Sequence, residues 1–106
     1  MSQLQCLLNM NEQIVNISIS GEFNVGLVRD FRSSYENCED IKQYVIDMNN
    51  VTYVDSSGIG MLIVMVEELK SRNHSIQIKL IHVNQEMKAL FECIHIEQLC
   101  PKLIIT

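Results

Sequence analysis

The stretch from Ser57 to Arg72 carries apolar residues at Ile59, Leu62, Ile63, Val66 and Leu69. Two short apolar runs flank it, Tyr44-Val45-Ile46-Asp47-Met48 and Ile76-Gln77-Ile78-Lys79-Leu80-Ile81. Spacing of i, i+3, i+4, i+7 predicts an amphipathic helix, and the flanking runs have the length and branching of strands. A helix that joins two parallel strands makes a right-handed crossover and lies against the sheet. This unit commits the chain to the α/β class.

The remaining elements fit around it. Ile14 to Ser20 alternates apolar and polar from Val15 on, which predicts a half-buried strand with Val15, Ile17 and Ile19 on one face. Cys6 to Met10 precedes it across the turn Asn11-Glu12-Gln13, and the two segments read as an antiparallel hairpin. Gly21-Glu22-Phe23-Asn24 ends the strand. Asn24 is a good helix N-cap, and Leu27, Val28, Phe31 and Tyr35 predict a helix over Val25 to Glu36, weakened by Gly26. The Tyr44 to Met48 run reads as apolar on both faces, as for a strand covered by helices. Asn84 is placed to cap a third helix with Met87, Leu90, Phe91 and Ile94 on its core face, and Leu103 to Ile105 after Pro101 reads as an edge strand. The order ββαβαβα(β) predicts one domain over residues 1–106. Its sheet is mixed, of four or five strands with a parallel centre and an antiparallel edge, and its helices pack mainly on one face.

Composition narrows the function classes. Apolar residues make up 47% of the 106 and charged residues 20%, enough apolar side chain to offset the entropy of ordering. The longest apolar run, Met61 to Val66, is far short of the roughly 20 residues that cross a bilayer. Met1 to Gln5 holds no basic residue and no long apolar stretch follows, so no signal peptide and a cytoplasmic location are expected. The net charge is −5, and the eight basic residues are scattered, with no basic stripe for nucleic acid or an anionic membrane. Neither partner is expected.

Cys6, Cys38, Cys93 and Cys100 lack metal-site spacing, and free thiols are expected, with Cys6 and Cys93 in the core. No metal or cofactor is expected. His74, His82 and His95 follow strands or helix ends with no obvious acidic partner. A nucleophile elbow fails because Val54 stands where its first glycine belongs, and a dinucleotide fingerprint fails at Ile63. The chain is not expected to be an enzyme.

The unusual segment is Val51-Thr52-Tyr53-Val54-Asp55-Ser56-Ser57-Gly58-Ile59-Gly60, between a buried strand and the strongest helix. Asp55, Ser56 and Ser57 are all good N-cap types. Gly58 and Gly60 each weaken a helix by up to about 1 kcal/mol against alanine, which makes sense where something approaches the backbone closely. The segment reads either as a helix cap in a tight turn or as a recognition site at a helix N-terminus. Met61, Val64 and Met65 flank the core stripe of this helix. They read either as packing beneath a neighbouring helix or as an apolar patch beside Ser56 that adapts to a partner.

Asp55-Ser56-Ser57-Gly58-Ile59-Gly60, preceded by Asn50-Val51-Thr52-Tyr53-Val54, resembles the signature of STAS domains, specifically the single-domain bacterial anti-sigma factor antagonists. Gly21-Glu22-Phe23-Asn24 is similar to that family's Gly-Glu-Leu-Asp turn, and Met87-Lys88-Ala89-Leu90-Phe91 is similar to a segment of its third helix. The resemblance runs from about Ile14 to Ile96. It departs at Asn24, where the family has Asp, and in the chain stopping soon after the third helix, so that the family's fourth helix is expected to be absent or replaced.

The resemblance implies a partner-switching regulator. Ser56 would be the serine phosphorylated by a kinase that is also the binding partner, with Ser57 as runner-up, and a metal-dependent serine phosphatase would reverse the modification. Asp55 would serve recognition or phosphoryl transfer. The partner-binding set is then Asn24, Asp55, Ser56, Ser57, Gly58, Ile59, Gly60, Met61, Val64 and Met65. The partner is a serine kinase or anti-sigma-like protein, and outputs known for similar proteins include transcription and biofilm control. A constitutive STAS interaction or scaffold subunit without phospho-switching is the alternative.

Overall fold

A computed structural model describes residues 3–106. β1 (Leu4–Asn9) and β2 (Ile14–Phe23) form the antiparallel hairpin. A 3-10 turn at Val25–Leu27 leads into α1 (Val28–Glu36), followed by β3 (Gln43–Val54), α2 (Ser56–Arg72), β4 (Gln77–Ile81), α3 (Gln85–Cys93), α4 (Ile96–Leu99) and β5 (Leu103–Ile105). The sheet order is β1-β2-β3-β4-β5, and every pair after the first is parallel. This is the expected mixed sheet with an antiparallel edge.

That order explains why the helices share a face. Strands β2 to β5 are laid down in sequence order, so successive right-handed crossovers all pass over the same side. Val15, Ile17 and Ile19 on β2, Tyr44, Ile46 and Met48 on β3, and Ile78 and Leu80 on β4 point to that side and are buried. Asn16 and Ser18 on the other face are exposed, and Val45, Asp47 and Lys79 are half-exposed. The expectation that Tyr44 to Met48 is covered on both faces is therefore corrected: the run alternates, with only its even positions in the core.

Aromatic contacts fasten α1. Phe31 packs tilted against Phe23 with ring centroids 5.2 Å apart and edge-on to Tyr35 at 5.9 Å. Arg32 pairs with Glu68 at 3.0 Å, and Arg72 Nη1 donates to the Tyr35 carbonyl at 3.1 Å, tying α1 to α2. The core stripe of α2 is Ile59, Leu62, Met65, Val66 and Leu69, while Ile63 is only half-buried. Met65 thus takes the place predicted for Ile63.

The cysteine expectation is corrected as well. Cys6 and Cys93 are exposed, Cys100 is buried and Cys38 is half-buried. Cys6 lies on an edge strand that helices only partly cover. Cys93 falls two residues past buried Phe91, about 200° around the helix and off its core face. A fourth helix, the single turn of α4, follows α3 and is entered through His95 at φ +54°.

Candidate functional site

β3 runs six residues beyond Met48, to Val54, and delivers Asp55 directly to the start of α2. Asp55 has extended backbone and is the N-cap: its carboxylate accepts the Gly58 N–H at 3.0 Å. The Ile59 N–H donates to the Asp55 carbonyl at 3.1 Å. The helix therefore begins at Ser56, one residue before the predicted start, because the acidic side chain rather than a serine does the capping. Ser56 is left exposed at the first helical position, and among the described residues its hydroxyl has no hydrogen-bond partner.

The two glycines differ. A Cβ on Gly58 would lie 2.4 Å from the Phe23 carbonyl oxygen and 3.1 Å from Val54 Cγ1. The close approach that the sequence hinted at is thus made by the chain itself, where α2 crosses the end of β2. A Cβ on Gly60 would meet nothing within 4 Å. Gly60 opens onto the surface.

Ser56 lines one groove, and its neighbour Ser57 lines a second. One, of about 360 Å³, runs between the start of α2 and α3 and is lined by Tyr53, Ser56, Ile59, Glu86, Met87 and Leu90 among others. The second, of about 380 Å³, lies between α1 and α2 and is lined by Val25, Val28, Ser57, Gly60, Met61 and Val64 among others. Val25, Val28 and Val64 are 66%, 47% and 43% exposed.

The predicted partner-binding residues divide accordingly. Ser56, Ser57, Gly60, Met61 and Val64 reach the surface. Gly58 and Ile59 are buried, and Met65 is fully buried, so core packing is the reading that holds for Met65. Asn24 caps the 3-10 turn, accepting the Gly26 N–H at 2.9 Å, and lines a depression with Tyr53 and Asp55. Sequence reasoning missed Tyr53, 54% exposed, and Glu86. Tyr53 was legible as an aromatic on the open side of a strand end. Glu86 reaches the site only through the placement of α3.

The electrostatics are one-signed. Asp55 and Glu86 line the Ser56 groove with no cation among its described lining residues. No histidine lines it either. His82 and His95 do have acidic neighbours, contrary to expectation: His82 Nδ1 lies 2.9 Å from Asp47 Oδ1, and His95 Nδ1 lies 3.6 Å from Glu97. Burial pushes the Asp47 carboxyl up, but the hydrogen bond to His82, the Asn49 N–H and the His82 charge outweigh it and hold the group below its ordinary value. This pair links the middle of β3 to the residue just past the end of β4 and is not part of the Ser56 groove. Among the described residues no cluster of acidic, histidine and cysteine side chains is arranged to hold a metal, and no helix is long and apolar enough to cross a membrane.

Comparison with known proteins places this geometry. The pattern of the STAS domain matches residues 6–103. A STAS-domain containing protein of Pseudomonas aeruginosa is 33% identical over 97 residues, covering 91% of this chain and 94% of its own. The fold matches the anti-sigma factor antagonist SpoIIAA in its unphosphorylated form with TM-score 0.69 at 18% identity, over 84% of this chain and 81% of that one. It matches the Bacillus cell fate determinant SpoIIAA in the phosphorylated form with TM-score 0.70 at 18% identity, over 97% and 90%. A sulfate transporter family protein from Wolinella succinogenes shares the fold as well, with TM-score 0.74 at 15% identity over 92% and 80%. With its motif at the start of α2 and its pattern matched along nearly all of its length, the chain belongs to the STAS domain family.

Proposed function

We propose that this protein is a phosphorylation-controlled regulator of the anti-sigma factor antagonist type. Unphosphorylated, it binds a serine kinase or anti-sigma-like protein around Ser56, and phosphorylation of Ser56 releases that partner. A metal-dependent serine phosphatase restores the binding form. The observation that carries the reading is the position of Ser56: exposed, first in its helix, relieved of capping by Asp55, and on the wall of an apolar-lined groove. That a structural neighbour is recorded in both phosphorylated and unphosphorylated forms supports the same assignment.

The physical logic is local. Phosphate adds about −1.5 to −2 charges and three acceptor oxygens. At a helix N-terminus the fold tolerates it, because the dipole and first-turn amides favour negative charge. Beside Asp55 and Glu86 it makes the groove strongly anionic, and docking would have to desolvate that charge. The effect falls on the interface rather than on stability.

The test is incubation with ATP and the serine kinase encoded nearest to the gene, followed by mass spectrometry. Phosphate is expected on Ser56 and is expected to vanish in Ser56→Ala. Phosphate on Ser57 alone, or unchanged labelling of Ser56→Ala, would move the site. No phosphate on either serine would favour the constitutive interaction module, which the sulfate transporter family neighbour keeps in view as a second setting for this fold.

A further inference from the structure

We propose that two copies of this protein pair through the outer edge of β1, antiparallel, about a two-fold axis at Leu7. β1 is one end of the sheet. From Leu4 to Met10 the sequence carries no charge and no proline, and Leu7, Leu8 and Met10 are 69%, 50% and 65% exposed. Folded chains normally blunt an edge with lysine, proline, a bulge or brevity. The opposite edge obeys that rule: β5 has three residues and follows Pro101 and Lys102. β1 does not.

The backbone restricts the possible registers to those that place outward-facing residues opposite one another. The Ser20 N–H donates to the Gln3 carbonyl at 2.8 Å, so the hydrogen-bonded pairs of the hairpin fall on Gln3–Ser20, Gln5–Ser18 and Leu7–Asn16. Alternate residues of an antiparallel strand turn their N–H and C=O the other way. Cys6 and Leu8 therefore present theirs outward. A second copy satisfies them when Cys6 of one copy faces Leu8 of the other, which centres the pairing on Leu7. The two Leu7 side chains then meet on the open face of the sheet, and Met10 faces Leu4.

The strand also selects its own copy by polarity. In this register Gln5 faces Asn9 twice by symmetry, amide against amide. Asn9 Oδ1 accepts the Glu12 N–H at 3.1 Å, which leaves its Nδ2 group as the donor toward Gln5 Oε1 of the second copy. A chain of net charge −5 repels itself over most of its surface, but an uncharged strand meets its copy without like charges opposed. A six-residue ribbon supplies only part of the roughly 1,200–2,000 Å² of a standard interface, so association is micromolar and depends on concentration. Ser56 takes no part, and the inference stands independently of the proposed switch.

Sedimentation of the full chain from about 5 to about 500 µM brackets that range. The apparent mass is expected to rise from 12.2 kDa toward twice that value. Leu7→Lys is expected to move the transition at least about tenfold higher in concentration, with circular dichroism and melting unchanged. In a Cys6→Ser background, Leu7→Cys is expected to form a disulfide-linked dimer under mild oxidation, and Asn16→Cys is not. A constant mass of 12.2 kDa at every concentration, an unaltered transition in folded Leu7→Lys, or equal cross-linking at both positions would overturn the proposal.

Discussion

Gly58 packs so closely on the carbonyl of Phe23 that a Cβ added to it would stand 2.4 Å from the oxygen. The same carbonyl accepts the Asp55 N–H at 3.4 Å, so one backbone group anchors the start of α2 to the end of β2. Gly58→Ala cannot relieve the clash by moving a flexible side chain. It is expected to destabilise the fold by about 1–3 kcal/mol, the usual range for overpacking. Gly60→Ala, two residues on with nothing within 4 Å, is expected to stabilise by about 0.5–1 kcal/mol through helix propensity. Urea denaturation of both variants checks the opposite signs.

The cap at Asp55 predicts a different pattern. Asp55→Ala removes the acceptor for the Gly58 N–H and is expected to lower stability by about 0.5–2 kcal/mol. Asp55→Asn keeps an acceptor and is expected to recover most of that loss. Hydrogen exchange at the Gly58 amide should accelerate in the first variant and stay close to wild type in the second.

Asp47 and His82 give a pH prediction. A carboxyl held below its ordinary value in the folded state contributes stability above its unfolded pKa, and that contribution fades as pH falls through the folded value. The window therefore lies at and below about pH 4. With the two side chains 35% and 60% exposed, solvent screening keeps the effect small. The sharper test is NMR titration: the Asp47 carboxyl should titrate below 3.8 in the wild type and move up in His82→Ala.

Much of this was legible in the sequence, for physical reasons. The alternation from Val15 to Ile19 and the spacing from Ile59 to Leu69 are the patterns that burying one face of a strand or helix imposes. Asn84 capped α3 as read, accepting the Met87 N–H at 2.8 Å. What escaped was set by tertiary placement. Whether the odd positions of Tyr44 to Met48 are covered depends on every crossover passing over one face, which no local pattern records. Met65 and Ile63 flank the α2 stripe on opposite edges, and only the placement of the helix on the sheet decided between them. At the site, Asp55-Ser56-Ser57 offered three capping residues, and the choice of Asp55 required β3 to extend to Val54. Glu86 acquired its place beside Ser56, and His82 its contact with Asp47, from residues thirty or more positions away.

Ser56 substitutions separate switch from structure. Ser56→Ala removes no cap, since Asp55 provides it, and should melt within a few degrees of wild type while keeping partner affinity. Ser56→Asp places one negative charge at an exposed helix start, where it is worth about 0.3–1 kcal/mol in favour of folding. It is expected to fold normally and to weaken binding in part, since phosphate carries nearly twice the charge. Melting curves beside binding isotherms distinguish the two effects, and a collapse of melting temperature in Ser56→Asp would show Ser56 to be structural.

The central claim is that the charge state of Ser56 governs docking. Its most direct test is calorimetric titration of the cognate kinase with protein carrying no phosphate and with protein phosphorylated stoichiometrically at Ser56. The account predicts affinity at least about tenfold weaker for the phosphorylated protein, or about 1.4 kcal/mol, with both forms equally folded. Equal affinities, or tighter binding of the phosphorylated form, would contradict it.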